Sequence, residues 1–393
     1  MSAVGLAGNI SSEIIVAAVS WRQHLHRHPE LAYQERQTSD FIAGQLGQFG
    51  LAVHRGLAGT GVVGTLKRGT SRRVIGIRAD MDGLPIQERS GLPHTSTTPG
   101  VMHACGHDGH VAMLLAAADV CARLSDLDGT VHFIFQPAEE NEGGGRRMVE
   151  EGLFRIFPCD AVYALHNWPA LPLGTCVARD GPMLAAFATF EIAMTGHGCH
   201  GALPHEGTDS ILASCQLVSA LQSIASRNID PRQAAVISVT QVNAGDTWNT
   251  IPNSATIRGT TRWFDAQVGD ILERRLTELS HSIATGFGCQ AQVSYKRRSP
   301  ATINDPRAAD VLRAAARNSA VNFTFVDAEP STGSEDFAFL LREVPGCYLL
   351  LGAGRSGDNP TLHSDQFDFN DELLPLGAAL WVSLVRQSLT FTY

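Results

Sequence analysis

Three short segments constrain this chain more than any others. Residues 74–77, 131–135 and 161–165 are apolar at nearly every position, and stretches of helical character lie between them. A strand with one wet face alternates polar and apolar residues, whereas one apolar throughout must be covered on both faces. Such strands belong to a sheet flanked by helices. Residues 39–50 and 109–124 supply helical periodicity, so the pattern is α/β with a mostly parallel sheet. The longest apolar run, 111–120, is too short to cross a bilayer and reads as a buried helix.

The pattern changes between residues 184 and 296. There the order is strand 186–194, helix 209–227, strand 235–242, strand 255–264, helix 266–287 and strand 290–295, the split β-α-β arrangement of a ferredoxin-like domain. Afterwards the α/β pattern returns, with a helix at 306–319, a strand at 347–351 and a last helix at 372–387. The expectation is a catalytic domain formed by 1–183 and 297–393, interrupted by an inserted domain at 184–296. With 393 residues the chain has room for two cores.

Composition excludes several function classes. The hydrophobic fraction is 44% and the charged fraction 18%, as in a soluble globular protein rather than a disordered one. A formal charge of −9 argues against nucleic acid as a partner. The first residues lack the basic start and apolar stretch of a secretion signal, which places the expected site of action in the cytoplasm with no membrane association. In that compartment the eight cysteines should be thiols.

Chemistry-bearing residues fall at the strand ends. Asp80 closes the first strand, Glu139 and Glu140 follow the second, His166 follows the third, and the strand at 347–351 leads into a loop holding His363. Ligands of open α/β sheets bind beyond the carboxyl ends of the strands. Cys105 and His107, separated by one glycine, lie just before the helix near 109, where the partial positive charge of a helix start favours thiolate. Taken singly, these residues have ordinary explanations. Two adjacent glutamates are usually a solvated loop, and Cys105 with His107 is either a metal site or a structural turn. Their convergence on one rim points to metal. His132, inside an apolar run, reads as a core histidine.

The motifs Leu25-His-Arg-His-Pro-Glu30, Arg78-Ala-Asp-Met-Asp-Gly-Leu-Pro85, His103-Ala-Cys-Gly-His-Asp108, Gln136-Pro-Ala-Glu-Glu140, Gly201-Ala-Leu-Pro-His205, Gly333-Ser-Glu-Asp-Phe337 and His363 run in order through most of the chain. In them the sequence resembles the M20 metallopeptidases, specifically the amidohydrolase branch with hippurate hydrolases, N-acyl-amino-acid hydrolases and auxin-conjugate hydrolases. The resemblance implies a catalytic α/β domain with an inserted lid through which the chain dimerises, with a homotetramer as the larger alternative. It implies two divalent ions, of zinc, manganese, cobalt or nickel, held by Cys105, His107, Glu140, His166 and His363. Cys105 would bridge the ions and Glu139 would act as general base. Arg78 stands where the wider family carries a histidine. Asp80, the acid of that motif, is therefore expected to orient a metal-bound histidine.

The resemblance further implies that His200 steadies the oxyanion from across a dimer, while Asn249 and Arg262 hold the substrate carboxylate. A bland alternative for Arg262 is a solvated surface pair. The lid motif departs from the usual form, reading Gly196-His-Gly-Cys-His200. The implied activity is hydrolysis of N-acyl amino acids. Its competitors are a dipeptidase or carboxypeptidase, an amidase with Cys105 as nucleophile, and a non-catalytic binding protein on the same scaffold.

Overall fold

A computed structural model describes residues 10–140, 143–357 and 360–390. The chain divides into two compact units, one of residues 1–183, 302–329 and 336–393, the other of residues 184–301 and 330–335. Residues 297–301, expected in the larger domain, go with the smaller unit. The reason is that the strand Gln290–Ser299 continues in register past Tyr295, pairing Arg297 with Ala188.

The larger unit is built on an eight-stranded sheet. Its centre is four parallel strands: β1 (Val74–Asp80), β2 (Gly129–Gln136), β3 (Ala161–Pro172) and β4 (Gly346–Gly354), side by side in the order β2-β1-β3-β4. These include the three apolar runs, and they are buried along most of their length. A hairpin of Ala52–Leu57 and Gly61–Arg68 extends the β2 side antiparallel. Sequence reading missed this hairpin because its outer strand is mostly exposed and carries no buried pattern.

Helices α1 (Ser12–Arg27), α2 (His107–Ala122) and α3 (Leu373–Leu389) pack together in this unit. Helix α2 is buried from end to end, which explains why its sequence is apolar all round rather than striped. Among the described residues no helix is long and apolar enough to cross a membrane.

The smaller unit is a four-stranded antiparallel sheet. Its strands are Ala235–Ala244, Ser254–Trp263, Ala186–Thr195 and Gln290–Ser299, in that spatial order. Helices Ser210–Arg227 and Ala266–Gly286 bury their apolar stripes on it. Order and connections are those of a ferredoxin-like domain. Residues on Ala186–Thr195 alternate between buried and more exposed, as a sheet covered on one face requires.

Candidate metal centre

Register brings the rim together. Asp80 lies opposite Gln136, the residue before the Pro137–Glu140 turn, and His166 lies opposite Leu350 on β4. Strand β3 runs on to Pro172, so His166 sits within a strand rather than just after one. The loop with Cys105 enters α2 at Gly106, whose φ of 97° is left-handed and whose missing Cβ would meet Asn167 Oδ1 at 2.4 Å. Only glycine fits between the two expected ligands.

Ligand atoms of three overlapping groups each lie within 4.8 Å of one another: Cys105, His107 and His166; Cys105, Glu140 and His363; and His107, Glu139 and Glu140. Every residue expected to hold an ion is therefore in one cluster, with Glu139 among them. Cys105 Sγ is 3.3 Å from His166 Nε2, and His363 Nε2 is 3.2 Å from Glu140 Oε1. The backbone N–H of His363 donates to Ala104 O at 2.8 Å, tying its loop to that of Cys105. Ala138 (φ 55°) and His363 (φ 64°) are left-handed without being glycine. Such backbone costs on the order of 1–3 kcal/mol and persists where neighbours hold it.

The arrangement fits a cation. Two imidazoles have their Nδ1 atoms engaged from behind, His107 by Asp82 O at 3.0 Å and His166 by Asn167 O at 2.8 Å. That leaves both Nε2 atoms facing the cluster, and the buried Nε2 of His107 makes no hydrogen bond. Burial pushes the Cys105 thiol well up, and Glu140, Glu139 and Asp80 push it further. The partial charge at the start of α2 thus does not by itself make a thiolate here. Burial opposes charge on His107, yet Asp80 and Asp82 drive its imidazole up to about 10. So dense a set of acids around a thiol and inward-facing imidazoles calls for positive charge between them.

Asp80 departs from expectation. Its Oδ1 is 2.6 Å from His110 Nδ1, and its Oδ2 accepts from Arg78 at 2.8 Å. Although Oδ2 is 3.7 Å from His107 Nε2, no hydrogen bond joins Asp80 to an expected ligand. Arg78 is the cause: buried in place of a histidine, it occupies Asp80 on one side and Asp336 (3.1 Å) on the other. Burial resists ionisation of Asp80, but His107, Arg78 and His110 hold it well below the usual carboxylate range. Asp80, His107 and His110 also form a metal-sized group. Two of its members are engaged, since His110 is bonded to Asp80 and at 2.7 Å to Asn167. Sequence reading gave no role to Asp82, His110 or Asn167, because only distance reveals these pairings.

In the smaller unit, His200 and Asn249 are neighbours on an exposed two-stranded ribbon, where Gly201 donates to Asn249 O at 2.6 Å. Arg262 is elsewhere. Its guanidinium is stacked 4.6 Å from the Phe187 ring centre and donates to Thr332 O at 2.7 Å. Gly198, beside the ribbon, bonds Asn253 at the start of the strand on which Arg262 lies near the end. Eight strand residues separate Ser254 from Arg262, roughly 26 Å.

The pattern described as peptidase family M20/M25/M40 matches residues 76–387. An N-acetyl-L-cysteine deacetylase of Bacillus subtilis is 38% identical over 343 residues, spanning 87% of this chain and 81% of that protein. A hippurate hydrolase of Campylobacter jejuni is 37% identical over 370 residues, 94% and 95% of the two chains. The crystal structure of the Bacillus subtilis YXEP protein, a dinuclear metal binding peptidase of the M20 family, superposes with a TM-score of 0.83. That likeness has 33% identity and covers 95% of this chain and 98% of the other. The pattern spans most of the chain and these likenesses nearly all of it, so this protein belongs to peptidase family M20/M25/M40.

Proposed function

We propose that this chain hydrolyses the amide bond of N-acyl amino acids, releasing a carboxylic acid and a free amino acid. The observation that carries the reading is the convergence of Cys105, His107, Glu140, His166 and His363 with Glu139 beside them. Those five residues would hold two divalent ions, for which thiolate, imidazole and carboxylate donors suit zinc and also admit manganese, cobalt or nickel. Such ions lower the pKa of an attacking water and polarise the scissile carbonyl. Glu139 takes a proton from that water as its oxygen bonds to the carbonyl carbon. It then passes the proton to the nitrogen as the C–N bond breaks.

The lid residues would recognise the substrate's carboxylate and the developing oxyanion. Arg262 offers a planar pair of donors suited to a carboxylate. His200 and Asn249 lie on the exposed ribbon, and Arg262 lies near the far end of a neighbouring strand against Thr332. In this reading His200 and Asn249 serve the active site of a partner subunit, and the working unit is at least a homodimer. Exposed apolar side chains in this unit support that reading: Leu203, Ile211, Leu212, Val242 on an edge strand, and the fully exposed Trp248. All eight cysteines are free, in keeping with a reducing compartment such as the cytoplasm.

The nucleophilic alternative has one observation in its favour, the 3.3 Å approach of Cys105 Sγ to His166 Nε2. Electrostatics oppose it. Burial and three acids push the thiol up while burial and His110 push His166 down, which keeps the pair neutral rather than as thiolate and imidazolium. A carboxypeptidase or dipeptidase cuts the same kind of bond beside a carboxylate and differs only in the acyl pocket.

The test combines chelation with one substitution on a panel of N-acyl amino acids and dipeptides. Chelator should abolish turnover and a divalent ion restore it. Glu139→Gln should retain bound metal and lose roughly 10²–10⁴-fold in kcat. Full activity in chelator, or near-native kcat in Glu139→Gln, overturns the reading.

A further inference from the structure

The segment that carries Glu139 and Glu140 is held by its own backbone. Three buried carboxylates of the same unit each accept one of its N–H groups: Glu35 from Ala138 at 2.9 Å, Asp82 from Glu140 at 3.0 Å, and Asp336 from Gly145 at 2.7 Å. Glu35 bonds Thr60 Oγ1 and the Tyr33 backbone, and Asp336 bonds Arg78 and Gln136.

Asp82 is different. Its Oδ2 accepts from Glu140, while its Oδ1 lies 3.2 Å from Nδ1 of His107. The same Nδ1 is 3.0 Å from Asp82's own backbone carbonyl. With two acceptors behind it, Nδ1 keeps a proton, so Nε2 is the nitrogen whose lone pair would go to a metal in the cluster. One side chain thus touches the backbone of the base-bearing turn and the rear of an expected ligand.

We propose that Asp82 is a positioning residue that couples the Glu139–Glu140 turn to the orientation of His107. The proposal rests on the metal-dependent reading above. Both partners of Asp82 are N–H donors, and only a carboxylate presents an acceptor to each. Asparagine has the same shape but one acceptor oxygen and one donating amide. In Asp82→Asn one contact must therefore become donor against donor, whichever way the amide turns. If the His107 contact is lost, a ligand is loosened directly. If the Glu140 contact is lost, the turn shifts and takes both a ligand and the base with it. Either way metal binding weakens.

Zinc affinity, measured by competition with a chromophoric chelator, should fall about 10–100-fold in Asp82→Asn, with kcat lowered as well. Wild-type zinc affinity in a folded Asp82→Asn overturns the proposal. A second measurement uses the wild-type protein and does not depend on that variant folding. In cadmium-loaded protein with ¹⁵N-labelled histidine, His107 should carry its proton on Nδ1 and couple to cadmium through Nε2. Coupling through Nδ1 overturns the proposal. The two readings fail separately: normal zinc affinity in Asp82→Asn beside a chelator-sensitive wild type refutes only the coupling, whereas a chelator-insensitive wild type refutes the hydrolase reading itself.

Discussion

The rim of the larger unit and the exposed ribbon of the smaller one both hold polar residues expected to do chemistry, yet they are built in opposite ways. At the rim, Cys105, His107 and His166 are buried while His363 is exposed, and two imidazoles are held from behind, His107 by Asp82 and His166 by Asn167. In the same unit Arg22, His26 and Asp108 are further buried charged groups. Arg22 contacts Asp368 at 2.9 Å and Asp371 at 2.7 Å, and His26 contacts Asp108 at 2.8 Å. On the ribbon, His200 and Asn249 are exposed and lightly held. A site that must place several groups within tenths of an ångström needs the first construction. A surface completed by a partner needs only the second.

The largest expected effect on stability tests the buried network. Arg22→Met leaves Asp108, Asp368 and Asp371 without their shared cation, and breaking a buried pair costs roughly 3–5 kcal/mol. Hydrogen exchange resolved by segment should show the loss in the larger unit and leave the smaller one unchanged. Equal loss in both units would break the contrast.

A pH titration sharpens it further. Burial opposes protonation of His26, but Asp108 and Glu88 raise its pKa from 6.5 to about 9. A group whose folded pKa is raised contributes fully below its unfolded pKa and loses that contribution as pH climbs through the folded value. The larger unit should therefore lose stability, of order 3 kcal/mol at most, between about pH 6.5 and 9. His26→Gln should flatten that decline. Denaturation followed by exchange across the range checks it, and an unchanged slope in the variant refutes the assignment.

The smallest expected effect on stability belongs to the ribbon. His200→Ala should change stability by less than about 0.5 kcal/mol, as at other exposed sites. Its kcat should nonetheless fall by roughly 10²–10³-fold, as when an oxyanion donor is removed. Mixing that variant with Glu139→Gln should restore activity, because one site of the mixed dimer then has both an intact base and a partner's histidine. No recovery on mixing would place His200 in its own subunit's site or outside catalysis.

The fold was legible where burial writes a pattern. The three apolar runs and the all-apolar helix each mapped to an element buried on every side. The antiparallel hairpin at 52–68 was not legible, because its edge strand is mostly exposed and the apolar run of its inner strand is broken by Gly64 and Thr65. In the candidate centre, Glu140 follows a strand, His363 lies in a loop beyond one, His166 lies within one and His107 opens a helix, so chain position brought most of them to one rim. Asp82 was hidden beside Asp80: two acids spaced by one residue look equivalent in a sequence.

The sequence by itself determined the layered architecture, the inserted unit and which residues gather at the rim, since all three follow from hydrophobic periodicity and from where strands end. Tertiary structure alone decided which acid stands behind which histidine. Arg78, buried against Asp80 and Asp336, turns Asp80 towards itself and His110 and leaves His107 to Asp82. That choice depends on hydrogen-bond partners brought from distant parts of the chain, each with a fixed number of donors and acceptors to satisfy once water is excluded.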